Sequence, residues 1–371
     1  MNTQQQFIPL PSSIQFAILL PTVRWTAMAR SVIASLVGVA NEEVAVLIAD
    51  NSENPEKRAF LKQLSVINPY IFSVSHEKNI GAFSNILYLY DWCKDVPFCA
   101  LMADDDLVSH NYYTYAFLLL RQYPEVTCAE VGNALMDMNG DGQYQAISQV
   151  SMRGHTPFER IQQWNGFDAR ITMYNASTRA SLEHALQFYK ATPLNGHVLV
   201  ENLWELSRLS AGDFISQRAS GCFIHYPATA SSMEVLYNLL YKESGLAFPF
   251  ICFSDLCTAV LCAMFLMGKL SPIADPLQKE RCGQYVFKRI FLDHISQYYS
   301  KENIEAIENL FINYPKARAG VLNYYRPPFI NNPVFDEGIV NWLIEVIKVF
   351  ETQRTPLLSE QFSAFVVSVL D

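Results

Sequence analysis

Phe98-Cys99-Ala100-Leu101-Met102-Ala103-Asp104-Asp105-Asp106 is the stretch that decides the fold. Six apolar residues run straight into three carboxylates. The apolar run has the length of a strand buried on both faces. Adjacent carboxylates repel, so a fold keeps them together only with full solvation or a compensating cation. A solvated acidic turn is the plain reading. A cluster of oxygen ligands for a hard divalent ion, completed by a diphosphate, is the functional one.

Working outward, the first half of the chain alternates strand and helix. Ile14 to Leu20 reads as a strand, Trp25 to Val39 as a helix, and Val44 to Ala49 as a second strand ending at Asp50. Pro55 opens a helix running to about Leu64, since proline suits the first helical position. Ile71 to Val74 is a third strand and Ala82 to Trp92 a helix. After the acidic stretch, Asn111 to Tyr123 is helical and Val126 to Met136 is a strand. Alternation of this kind predicts an α/β fold: a Rossmann-type, mostly parallel sheet flanked by helices. Ligands of such sheets bind at the carboxyl ends of the strands. The polar clusters fall there: Thr22 and Arg24, then Asp50 to Ser52, then His76 to Asn79, then the aspartates.

Composition narrows the function. The 371 residues exceed one minimal domain, and 50% are hydrophobic, so a large core is available. A formal net charge of −9 argues against a duplex nucleic-acid binder. Eight cysteines without a CxxC pair read as buried free thiols in a reducing compartment. The MNTQQQ start lacks a basic region, and no signal peptide is read. A cytoplasmic protein is expected. Leu246 to Met267 approaches the length of a membrane span, but Pro249, Ser254 and Asp255 interrupt it. A buried helix starting near Ser254 is the expectation, so no transmembrane segment is predicted. The middle is loop-rich, and beyond 271 the chain reads as mainly helical. The expected division is 1–270 and 271–371.

Other motifs are weaker. Asp137-Met138-Asn139-Gly140-Asp141-Gly142 mimics half a calcium loop, but the twelfth position is Ser148, so a turn is the better reading. There is no dinucleotide fingerprint, P-loop or nucleophile elbow. His184 and His225 lack ligand-spaced partners and read as ordinary surface or core residues.

Together, Pro21-Thr22-x-Arg24, Asp50-Asn51-Ser52, Asn79-x-Gly81-x-x-x-Asn85 and Asp104-Asp105-Asp106 resemble the family 2-type glycosyltransferases with a GT-A fold. The likeness covers about residues 14 to 136. It implies transfer of a sugar, with inversion, from a nucleotide-sugar donor, UDP-linked by preference, with Mn2+ or Mg2+. The acceptor would be a hydroxyl of a carbohydrate or glycolipid in surface-polysaccharide assembly, which is compatible with peripheral membrane contact.

The resemblance also assigns residues. Pro21, Thr22, Arg24, Asp50 and Ser52 would contact the nucleotide, and Asn79, Gly81 and Asn85 would shape the floor. Asp104 and Asp105 would bind the nucleotide-sugar, and Asp104 and Asp106 the metal. Ala103 stands where the family often has an aspartate. Either the register is Asp104-x-Asp106, or one ribose contact is lost and Asp105 is the ligand. Asp255, in Phe253-Ser254-Asp255-Leu256, fits the family's catalytic base. Its plain reading is a favourable charge in the first turn of a helix. Asp213 is the second choice, and Trp164 to Arg170 would line an acceptor groove or pack as a loop. A nucleotide-sugar-binding module without turnover is the alternative. A nucleotidyltransferase is another, but PTVRWTAMAR makes a poor glycine-rich phosphate loop.

Overall fold

The computed structural model describes residues 7–137, 144–147, 151–164, 174–194, 201–225, 246, 250, 253–298 and 301–370. Backbone packing groups them into two units that interleave along the chain. The first takes residues from 1–153, 169–183 and 212–229, and the second from 154–168, 184–211 and 230–371. Segments from the middle of the chain join each unit.

The first unit holds the sheet. Its strands are β1 (Phe16–Thr22), β2 (Val44–Asp50), β3 (Ile71–Ser75), β4 (Phe98–Leu101), β5 (Leu107–Val108), β6 (Val126–Asp137), β7 (Tyr144–Ile147), β8 (Ala176–Thr178) and β9 (Asp213–His225). They pair in the order β3-β2-β1-β4-β8-β6-β9-β5, with β7 on β6. β3, β2, β1 and β4 run parallel. β8 is antiparallel to both β4 and β6, so β6 and its parallel partner β9 share the direction of β4. Every residue of β2 is buried, as a strand covered by helices on both faces requires.

Helices α1 (Ala27–Leu36), α2 (Pro55–Ile67), α3 (Ala82–Trp92) and α4 (His110–Gln122) connect these strands. The starts of α1 and α2 have local causes. Thr26 caps α1 by accepting from Ala29 N, and Asn54 caps α2 by accepting from Glu56 N and Lys57 N, with Pro55 next. Val32, Ile33 and Leu36 of α1, Leu61 and Leu64 of α2, and Tyr112, Tyr113, Ala116 and Leu120 of α4 join the core formed with Phe16, Ile18, Val46 and Ile48.

The second unit is helical. It contains α5 (Pro157–Gln162), most of α6 (Arg179–Ala191), α7 (Asn202–Ala211), α8 (Ser254–Met267), α9 (Pro276–Tyr298), α10 (Lys301–Leu310), α11 (Pro315–Tyr324), α12 (Glu337–Phe350) and α13 (Leu358–Leu370). α8 is buried continuously from Leu256 to Leu266, which explains its apolar run without a bilayer. Among the described residues no helix is long and apolar enough to cross a membrane. Cys93, Cys99, Cys128, Cys257, Cys262 and Cys282 are buried free thiols, as their apolar settings predict. The calcium-like turn extends into residues 138–142, and the aromatic loop into 165–170, both outside the described residues.

Candidate active site

The carboxyl ends of β1, β2 and β4 meet at one edge of the first unit. β1 and β4 stay paired to Leu19↔Leu101, and Met102 N donates to Leu19 O at 2.9 Å. Beyond that point β4 turns away and the chain opens between them. Pro21 sits in this opening. Its missing N–H falls on the side where β4 has ended, so a proline is tolerated in a central strand.

The acidic loop is fastened to the segment after β1. Asp104 Oδ2 accepts from Thr22 Oγ1 at 2.8 Å, Val23 N at 3.1 Å and Arg24 N at 3.0 Å. Arg24 Nη1 lies 3.4 Å from Asp104 Oδ1 and also binds Asp105. Burial opposes the Arg24 charge, but the bond to Asp105 and the fields of Asp105, Asp104 and Asp106 hold its pKa above the usual arginine value. Asp106 is completely buried, whereas the Asp105 side chain is 22% exposed. Of the three carboxylates, Asp105 is the one that faces outward.

Asp50 turns inward instead. Its carboxylate is fully buried, with Lys57 Nζ 3.1 Å from Oδ1. Oδ1 also accepts from Ser52 N at 3.0 Å, and Oδ2 from Ser75 Oγ at 3.1 Å. The same Lys57 ammonium donates to Thr22 Oγ1 and to Arg24 O, each at 2.8 Å. Burial pulls the Lys57 pKa down, against the opposing pull of Asp50. One buried cation therefore ties the loop after β2 to the loop after β1, and Thr22 passes the tie on to Asp104.

Lys57 was not singled out from the sequence, yet a signal exists. Lys57, Leu61 and Leu64 are the buried positions of α2, at the i, i+4, i+7 spacing of a core stripe. A lysine in such a stripe needs a buried partner, and Asp50 supplies it.

The residues expected to form the floor make one hydrogen-bonded group. Asn51 Nδ2 donates to Asn79 Oδ1 at 2.7 Å, and Asn51 Oδ1 accepts from Ile80 N at 2.8 Å. Asn79 Oδ1 also accepts from Gly81 N at 2.8 Å. Gly81 has φ 87°, a left-handed value that favours glycine. Asn85 is buried, donating to Ala49 O at 2.8 Å and meeting His76 Nε2 at 2.9 Å. These residues brace one another and the end of β2.

The two base candidates separate. Asp213 begins β9 opposite Val126, at the amino ends of both strands. β6 and β9 run with β4, so Asp213 lies at the opposite edge of the sheet from the acidic loop. That removes the second choice. Asp255 lies in the first turn of α8, in the second unit. The backbone also brings an unexpected residue near the loop. β5 follows the aspartates directly and pairs Leu107↔Ile224, so His225 is next in β9 on the side of Asp106.

Among the described residues, no group of three His, Cys, Asp or Glu converges as a ready-made metal site. Magnesium-type sites need less: one or two carboxylates, waters and substrate phosphates. Asp105 fits that role, being outward-facing and held by a half-exposed arginine. Asp104 fits it poorly, because its Oδ2 already accepts three hydrogen bonds.

No protein-family model matches the chain, and no curated protein matches its sequence. Its structure is similar to that of S. aureus TarS 1–349, with a TM-score of 0.50 at 12% identity over 96% of this chain and 91% of that one. This is a GT-A-type fold. The TarS 1–349 complex with UDP-GlcNAc also matches, with a TM-score of 0.50 at 12% identity over 86% of this chain and 89% of that one. A crystal structure of S. aureus TarS has a TM-score of 0.51 at 11% identity, and 55% of its length is covered by 96% of this chain. In the GT-A-type arrangement the acidic loop after β4 and the polar ends of β1 and β2 form one edge.

Proposed function

We propose that this protein is a glycosyltransferase that moves a sugar from a nucleotide-diphosphate sugar to an acceptor hydroxyl. The observation that carries it is the fastening of Asp104 to Thr22 and Arg24 at the carboxyl edge of a GT-A-type sheet. That arrangement leaves Asp105 facing out beside a cationic side chain, where a diphosphate and a divalent ion can share charge. TarS 1–349 has been crystallised with UDP and with UDP-GlcNAc, which supports a UDP-sugar as donor.

Asp105 is the proposed ligand for Mn2+ or Mg2+, with Asp104 fixing the loop and Asp106 buried beneath it. When bound, such an ion neutralises charge on the leaving diphosphate. Asp50 acts from within, holding Lys57, Ser52 and Ser75 so that the nucleotide edge keeps its shape. Asp255 is the proposed base that takes the acceptor proton, giving inversion by in-line attack. The acceptor is a carbohydrate or glycolipid, and the setting is the cytoplasm or the membrane surface facing it.

The test is a melting experiment with UDP, with and without Mn2+, followed by turnover of UDP-sugars. UDP at a hundredfold excess over its dissociation constant should stabilise the fold by about 2.7 kcal/mol. Asp105→Asn should remove the Mn2+-dependent part. No shift with any nucleoside diphosphate, with or without Mn2+, would reject the reading.

A further inference from the structure

Arg24 holds the carboxylate that a divalent ion would need. Its guanidinium binds Asp105 and approaches Asp104 Oδ1 at 3.4 Å. The root of the residue is fixed on both sides: Arg24 N donates to Asp104 Oδ2, and Arg24 O accepts from the buried Lys57 ammonium. The side chain is not fixed in the same way, being 38% exposed. Its backbone can therefore stay in place while the guanidinium swings.

A second cation arriving at Asp105 meets the repulsion of the Arg24 guanidinium already on its Oδ2, so the two compete. A guanidinium fits phosphate as well as carboxylate, since its planar fork pairs with two oxygens of either.

We propose that Arg24 is the built-in counter-ion of the acidic loop, occupying Asp105 until the donor's diphosphate draws it away, so that donor and divalent ion enter together. This rests on the nucleotide-sugar reading above. Arg24 then serves twice, as a plug without ligand and as a diphosphate contact with it. The loop never carries three uncompensated carboxylates, and free metal is not trapped.

The experiment is a titration with Mn2+ alone, followed by electron paramagnetic resonance of the free ion. Wild type, Arg24→Gln, and the double variant Arg24→Gln/Asp105→Asn are compared, each with its melting curve. Arg24→Gln should bind Mn2+ about two- to fivefold more tightly than wild type, as expected when one competing, partly exposed ion pair is removed. The double variant should lose that gain. In the presence of Mn2+, UDP should bind Arg24→Gln more weakly than wild type. Equal or weaker Mn2+ binding by a folded Arg24→Gln overturns the proposal, as does a gain that persists in the double variant. UDP binding by wild type is scored separately. Its failure rejects the nucleotide-sugar reading, while the Mn2+ titration still decides whether Arg24 competes for Asp105.

Discussion

Asp50 and Lys57 are each fully buried, 3.1 Å apart, and neither is sustainable alone. Deleting one partner of a buried pair leaves an uncompensated charge and costs about 3–5 kcal/mol. Asp50→Ala should therefore destabilise the fold by about that amount as well as weaken nucleotide binding. Lys57, Ser52 and Ser75 all engage its carboxylate. The double variant Asp50→Ala/Lys57→Met should recover part of the loss, since apolar replacement of a whole pair is often neutral. Urea unfolding of both singles and the double forms the test cycle. If the losses simply add, the pair does not act as a unit. The sequence showed Asp50 as polar at a strand end, but not which way it faces. Direction depended on Lys57, seven residues later and one helix away.

At the scale of elements, α7 shows burial reversing a residue's ordinary chemistry. Glu205 accepts a hydrogen bond from Trp164 Nε1, and both side chains are buried. Burial is the main reason its pKa rises to about 8, with Trp164 and Arg208 pulling the other way. The folded value lies above the ordinary glutamate value of 4.5, so between the two the native state holds more protons than the unfolded one. Stability from this group should be present below about pH 4.5 and fall as pH rises toward about 8, with a limiting slope of about 1.4 kcal/mol per pH unit. Glu205→Gln keeps an acceptor for Trp164 and should flatten the pH profile of the melting temperature across that window. An unchanged profile would show that Glu205 does not titrate there. Contact geometry likewise sets α11 against α12. A Cβ on Gly320 would lie 1.9 Å from Trp342 Cδ1, so only glycine permits that approach.

At the scale of the whole molecule, the proposed base and the acidic loop fall in different units. The acidic loop belongs to the sheet unit, and Asp255 to the helical one. If Asp255 is the base, Asp255→Asn should leave UDP affinity and melting temperature nearly intact, because asparagine suits a helix start. Transfer should fall by about 10²–10⁴, the usual worth of a positioned base. Transfer assays, UDP titration and a melt on this one variant separate the cases. Parallel, modest losses of stability and activity would mean that Asp255 only supports α8. Full transfer with an unaltered melt would remove it from both roles and turn attention to His225, next to Leu107's partner in β9.

Local rules determined the framework. Apolar runs, Asn54-Pro55 and the strand-end polar clusters specified the β1-to-β4 alternation, α3 to the residue, and the edge where the polar residues gather. These signals are legible because strand burial and helix capping act over a few neighbouring residues. β5, β8 and β9 were not legible. β5 is two residues long and β8 three, and β9 carries no clean alternation through Asp213–His225, so each exists by pairing with distant strands. The same holds for the site's electrostatics. Three aspartates in a row announced a cation, but only the folded chain decided that Arg24 would be that cation, that Asp104 would face Thr22, and that Asp105 would face out. Charge placement depends on which loops the sheet brings within hydrogen-bonding distance, and that distance is a property of the tertiary structure.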